Sequence, residues 1–359
     1  MINNRMPQSE STVNDNTPPS SAGGYFGLST TLENALIWVI EAPFEATVSY
    51  REGTADGPLS ILSASHQLDF FDMDVGDVRN VGFAVSQGSR ELAHLNQQAR
   101  PLAKEVIQSL EAGTSVNNQQ LQTVNHLCEK MVTSVHSQTH NALQQEKIPL
   151  VIGGDHSCAL GAIQACINQF PGCGILQIDA HADLRLAYEG FTYSHASIFR
   201  HVVDQFPETP LVQIGIRDYC QEEWEQIQSR PNVHTVFDRT FRKARIAGRF
   251  DDALEAVVDR LPEQVYVSLD VDGLQPHFCP STGTPVPGGF SFDEVIELME
   301  RVVRSGRRFV GVDVCEVSGK RNSDGSDALD SMIGARLIYK LGGFAAISQG
   351  KHRWPEHMP

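Results

Sequence analysis

Apolar positions along the chain fall into two alternating rhythms. Unbroken apolar runs, bounded by Gly, Pro or Asp, lie at residues 36–40, 80–85, 149–152, 174–178, 211–216, 265–269 and 309–314. A strand buried on both faces reads this way, because neither side of it meets water. Between the runs the spacing changes. Leu121, Val124, Leu127, Cys128, Met131, Val132 and Val135 step by three and four, which makes one apolar stripe on a helix. The segment from Ser291 to Val303 opens with SFDE, a capping-box pattern, and keeps the same step. A last helix is expected over 328–341, after a turn at Asn322-Ser-Asp-Gly. Strand and helix alternate throughout, which predicts an α/β fold with a parallel sheet covered on both faces. Residues 1–24, polar and rich in Ser, Asn and Pro, read as a flexible tail. Residues 25–345 read as one domain. Residues 346–359 read as a polar tail that dangles.

Charge narrows the partners. The chain has 359 residues with 28 Lys and Arg against 44 Asp and Glu, a net charge of −16. A phosphate backbone or an anionic membrane surface is repelled unless a basic stripe offsets this. The densest basic run, residues 239–249, is followed closely by two aspartates, so neither nucleic acid nor membrane is an expected partner. No apolar run approaches the ~20 residues of a membrane span, and the start lacks a signal-peptide core. Seven cysteines without a CxxC pair read as reduced, buried thiols, which points to the cytoplasm.

Four of the expected strands run into polar clusters. They are Gly153-Gly-Asp-His-Ser157, Asp179-Ala-His181-Ala-Asp183, Asp270-Val-Asp272-Gly and Asp313-Val-Cys-Glu316. Ligands of open α/β sheets bind outside the carboxyl ends of the strands, so clusters far apart in sequence can converge there. In extended chain alternate side chains share a side. Asp179, His181 and Asp183 can therefore project together, as can Asp270 and Asp272. With His156 this makes four carboxylates and two imidazoles. Four carboxylates cannot crowd together ionised without cations, and two divalent ions would balance them. Oxygen-rich ligation with imidazole and no thiolate points to Mn2+ or a similar ion rather than structural Zn2+. Two such ions about 3.5–4 Å apart can share and deprotonate one water.

The motifs GGDHS, DAHADLR, SLDVDGLQP and EVS, with the loop PSTGTPVPGG at 280–289, resemble those of the ureohydrolase family of arginases and agmatinases. The resemblance implies a three-layer αβα sandwich with a central, mostly parallel sheet. It implies one metal on His156, Asp179, Asp183 and Asp270, and a second on His181 and Asp272, with Asp179 and Asp270 bridging. Mn2+, two per subunit, is the implied cofactor, with Ni2+ or Co2+ as alternatives. The implied reaction is attack of an activated water on a guanidinium carbon, releasing urea and an amine. Glu316 matches the glutamate that binds the guanidinium, and His195 matches a loop histidine that shuttles protons near neutral pH. Asp155 is expected to accept a hydrogen bond from beside His156. Cys158 and Cys315 are expected to pack, although both lie near the motifs. The implied assembly is a homotrimer or homohexamer.

The residues after Asp183 resemble the agmatinase pattern DLR…YSHA…R, with Arg200 as the last arginine, so agmatine cleaved to putrescine is the favoured reaction. Lys320 and Arg321 leave a guanidino acid open as substrate. A cover formed by residues 46–54 leaves free guanidine open, and arginine is a further alternative. A non-catalytic guanidino-compound sensor is the alternative from another class.

Overall fold

A computed structural model describes residues 23–356, apart from residue 322 and residues 324–327. The tail up to residue 22 and most of the expected turn at 322–325 lie outside the described residues. Eight strands form one sheet: β1 (Ile37–Ala42), β2 (Phe83–Val85), β3 (Ile148–Gly153), β4 (Gly174–Ile178), β5 (Leu211–Ile214), β6 (Val233–Val236), β7 (Gln264–Asp270) and β8 (Arg308–Cys315). Their order is β2-β1-β3-β8-β7-β4-β5-β6, and every neighbouring pair is parallel. The helices are α1 (Gly57–Ser65), α2 (Ser89–Glu111), α3 (Asn118–Gln144), α4 (Leu160–Gln169), α5 (Ile198–Gln205), α6 (Gln221–Ser229), α7 (Asp238–Ile246), α8 (Phe250–Val258), α9 (Phe292–Arg304) and α10 (Leu329–Ser348).

Alternation along each strand builds the layers. Ile148, Leu150 and Ile152 of β3, and Val265, Val267 and Leu269 of β7, enter a core shared with α1, α8, α9 and α10. Their neighbours Val151 and Tyr266 face the opposite core, shared with α2, α3, α4 and α5. Both faces are apolar, which is why these strands read as unbroken runs. The result is the three-layer αβα sandwich, with its sheet wholly parallel.

The structure departs from the sequence reading in several places. The run at 80–85 is a strand only from Phe83, because residues 78–80 turn as a short 3-10 helix. The run at 211–216 pairs only to Ile214. The edge strand β6, Val-His-Thr-Val, was not expected. Its residues after Val233 are only half-buried, so it lacks the apolar run of a central strand. Finally, α10 runs past 341 to Ser348. Gly342 and Gly343 look like a stop in sequence. In the fold they are contact points: a Cβ on them would lie 2.6 Å from Phe83 and 2.6 Å from Val75. The segment beyond is tied down as far as residue 356. His352 Nε2 lies 2.9 Å from the Val75 carbonyl oxygen. Trp354 packs on Phe344, and the Arg304 guanidinium sits 4.3 Å above its ring. One tryptophan and one histidine in a polar stretch make these contacts.

Among the described residues, no helix is long and apolar enough to cross a membrane.

Candidate metal centre

Four adjacent strands in the middle of the sheet, β3, β8, β7 and β4, deliver the polar clusters to one edge. After β3 the chain turns at Gly154, where any Cβ would sit 1.9 Å from the Phe44 carbonyl oxygen. His156 then opens a short 3-10 turn. Its Nδ1 lies 3.1 Å from Asp179 Oδ2, 3.0 Å from Asp183 Oδ2 and 3.5 Å from Asp270 Oδ2. His181 Nδ1 lies 3.0 Å from Asp272 Oδ2 and 3.6 Å from Asp179 Oδ1. Potential ligand atoms therefore form two groups, His156 with Asp179 and Asp270, and Asp179 with His181 and Asp272, each within 4.8 Å. Asp179 is common to both. Asp183 joins through His156, while Asp270 falls in the first group and not in the second.

The carboxylates are costly as they stand. Burial, then the negative charges of Asp272 and Asp179, push the Asp270 carboxyl well above its usual range. Burial, then Asp179, pushes Asp183 up to about 7. Burial also opposes ionisation of Asp179, but contacts with His156 and His181 outweigh it and hold that carboxyl low. A buried set of oxygens and imidazole nitrogens that cannot all be ionised, with no thiolate in either group, fits a site for hard or borderline divalent cations.

Side chains behind the ligands fix their orientation. Gln177 donates to Asp179 Oδ2 at 2.8 Å, Gln213 donates to Gln177 at 2.6 Å, and Thr235 donates to Gln213 at 2.7 Å. On the other side, His156 Nε2 lies 2.9 Å from Ser268 Oγ, which donates to Asp313 Oδ1 at 3.1 Å. None of Gln177, Gln213 or Ser268 was picked out from the sequence. One signal was available: Ser268 lies two residues before Asp270 and so shares its side of β7.

Asp155 does not serve His156. Its Oδ1 accepts from the Ser157 N–H at 3.0 Å and from the Ser157 hydroxyl. It caps the 3-10 turn because it sits at the position preceding the first helical residue. Cys158 and Cys315 are fully buried, and burial pushes both thiols well up, as expected of packing residues.

Glu316 and His195 share a cleft of about 180 Å3 with His156, His181, Asp183 and Asp270. Glu316 is buried, and its Oε1 accepts the His156 N–H at 2.9 Å. Its backbone φ of 64° lies in the left-handed region, as does that of Asp183 at 53°. Residues without glycine's freedom are held there at a cost, and such strain gathers at functional sites. For His195, burial and then the neighbouring His181 and His156 push the imidazole down to about 3 when those two rings are charged. Arg200 is bound to Asp204 and Glu222 and does not line the cleft. Lys320 and Arg321 are exposed and lie outside it. Arg185 lines the cleft instead, its guanidinium 5.0 Å over the Tyr188 ring.

Comparison with known proteins agrees with this geometry. The chain is 29% identical to N(1)-aminopropylagmatine ureohydrolase of Synechocystis, across 90% of this chain and 93% of that protein. It is 31% identical to proclavaminate amidinohydrolase of Streptomyces clavuligerus, across 84% and 87%. Its structure superposes on agmatine ureohydrolase of Thermoplasma volcanium with a TM-score of 0.69 at 26% identity, covering 90% of this chain and 94% of that one. The arginase family profile matches residues 35–343. The chain belongs to the arginase family, whose members are hydrolases acting on the C–N bonds of guanidino compounds.

Proposed function

We propose that the protein uses two Mn2+ ions to hydrolyse a guanidino compound to urea and an amine, with agmatine as the favoured substrate. One observation carries the reading: His156, His181, Asp183 and Asp270 line the cleft with Glu316 and His195, and Asp179 and Asp272 complete the two candidate ligand groups with them. Ions held by those six residues would neutralise the carboxylates and supply a water acidic enough to attack at neutral pH. The chain's own groups do the rest. Glu316, fixed at Oε1 by the His156 N–H, keeps Oε2 beside Gly283 to receive the flat guanidinium. His195 Nδ1 lies 3.4 Å from Ser194 Oγ, which leaves Nε2 to carry a proton along the cleft.

The tail preference rests on two supports. Two of the similar proteins are named for agmatine or aminopropylagmatine. Asp218 and Glu223 line the cleft, which suits a cationic tail. A second reading has its own observation. Glu223, 3.7 Å from Arg185 Nε, already accepts the Leu184 and Cys220 N–H groups, and the Arg185 guanidinium has no hydrogen-bond acceptor among the described residues. Arg185 could therefore take the carboxylate of a guanidino acid. A urea-release panel with Mn2+ or Ni2+ separates these: agmatine, arginine, guanidinobutyrate, guanidinopropionate and free guanidine. Agmatine should be fastest. Full activity after exhaustive metal removal would overturn the reading, and agmatine binding without urea would favour a sensor. Trimeric or hexameric assembly and a cytoplasmic place, supported by seven free thiols, complete the proposal.

A further inference from the structure

We propose that Asp313, acting through Ser268, decides which nitrogen of His156 carries the proton, and so keeps Nδ1 bare for a metal. The inference rests on the metal-site reading above. In the sheet Ser268 of β7 pairs directly with Asp313 of β8. His156, Ser268 and Asp313 are all buried, so water does not compete for their hydrogen bonds.

A serine hydroxyl has one proton to give, and a carboxylate oxygen without a proton can only accept. Ser268 spends that proton on Asp313 Oδ1 at 3.1 Å. Its oxygen is left to accept, and the partner 2.9 Å away is His156 Nε2. Nε2 must carry the hydrogen. In the neutral ring Nδ1 then has its lone pair free, and Nδ1 is the atom that faces Asp179, Asp183 and Asp270. Asp313 is thus a positioning residue that never touches the metal.

Packing does not account for a carboxylate at this position. Asp313 Oδ2 and the nearby Tyr266 hydroxyl are both buried, and neither has a hydrogen-bond partner. Asparagine has nearly the same volume and would avoid the buried charge. It would also undo the relay. Its NH2 group can donate to Ser268 Oγ, which turns the serine proton toward Nε2 and leaves the ring hydrogen on Nδ1.

The test compares D313N, D313A and S268A with the parent, each as the full chain stripped of metal. Mn2+ is titrated in competition with a fluorescent chelator, and the melting temperature of each stripped form is recorded. The parent should bind two ions. D313N should weaken one of them about 10–100-fold, with a melting temperature at or above the parent's. D313A, whose serine can turn freely, should weaken it less, and S268A likewise. Unchanged affinity in D313N would overturn the proposal. So would D313A losing as much as or more than D313N, since that order marks a packing role. If the parent itself binds no Mn2+, the metal-site reading fails first and takes this proposal with it, a result distinct from either of those.

Discussion

Stripping the metal should make stability depend on pH in a direction the site dictates. Burial and the charge of Asp179 move the Asp183 carboxyl from 3.8 to about 7. The folded state then holds a proton that the unfolded chain releases. Its contribution is complete below pH 3.8 and is lost as pH rises toward 7. At about 1.4 kcal/mol per pH unit the loss comes to ~4 kcal/mol. Asp270 is raised for the same reasons and acts in the same direction. His156 and His181 are raised by the carboxylates despite burial, so they also lose stability as pH climbs through their folded values. Asp179 is held low, and its contribution is lost only on acidification below the ordinary carboxylate range. Between pH 5 and 8 the raised carboxyls and the two raised imidazoles share one sign; His195, pushed down to about 3, opposes them only up to its unfolded value near 6.5, so the fall is steepest above that pH. Scanning calorimetry of chelator-treated protein should show the melting temperature falling by roughly 5–10 °C over that window. Mn2+ should flatten the profile, so the gap between loaded and stripped protein widens with pH. The loaded protein carries the same surface charge and controls for general repulsion. A stripped protein as stable at pH 8 as at pH 5 would refute the electrostatic account of the site.

Glu316→Gln should keep two Mn2+ per chain but lower kcat/KM for urea release about 10–100-fold, the worth of one charge-assisted hydrogen bond. Metal counting beside steady-state kinetics checks both halves. Trp354→Ala should destabilise the fold by about 1–2 kcal/mol through lost contact with Phe344 and Arg304, and leave the metal count unchanged. A urea denaturation midpoint equal to the parent's would show that the C-terminal segment is not anchored.

The sheet was legible because each central strand is apolar on both faces, and the convergence of the candidate ligands was legible because Asp179, His181 and Asp183, and Asp270 and Asp272, follow those strands at a spacing of two. What could not be read were partners that meet across strands. Gln177 and Gln213 look like ordinary polar interruptions until the β4–β5 register sets them side by side. Asp155 looked like a support for His156 because it is its neighbour, yet the turn directs it to Ser157. For His195 the residue type carries only an ordinary pKa, and the burial and facing imidazoles that push it down meet only in the fold. The edge strand β6 and the anchor at Trp354 were hidden because each depends on contacts with distant chain.

The constraints on the site converge on His156. Glu316 accepts its N–H, Ser268 faces Nε2, three carboxylates face Nδ1, and the Phe199 ring meets it edge-on at 5.5 Å. Two of those partners, Asp183 and Glu316, sit in left-handed backbone at a cost of about 1–3 kcal/mol each. A chain selected only for stability would place glycine there. Keeping carboxylates at both positions aims one at the imidazole and one at its peptide N–H, so a shift of this ring would disturb the metal floor and the guanidinium receptor together. In the proposed function, substrate recognition at Glu316 and ligation at His156 would therefore be coupled through one short turn. Substitutions in that turn should alter metal affinity and KM jointly, whereas changes at Arg185 should alter KM alone.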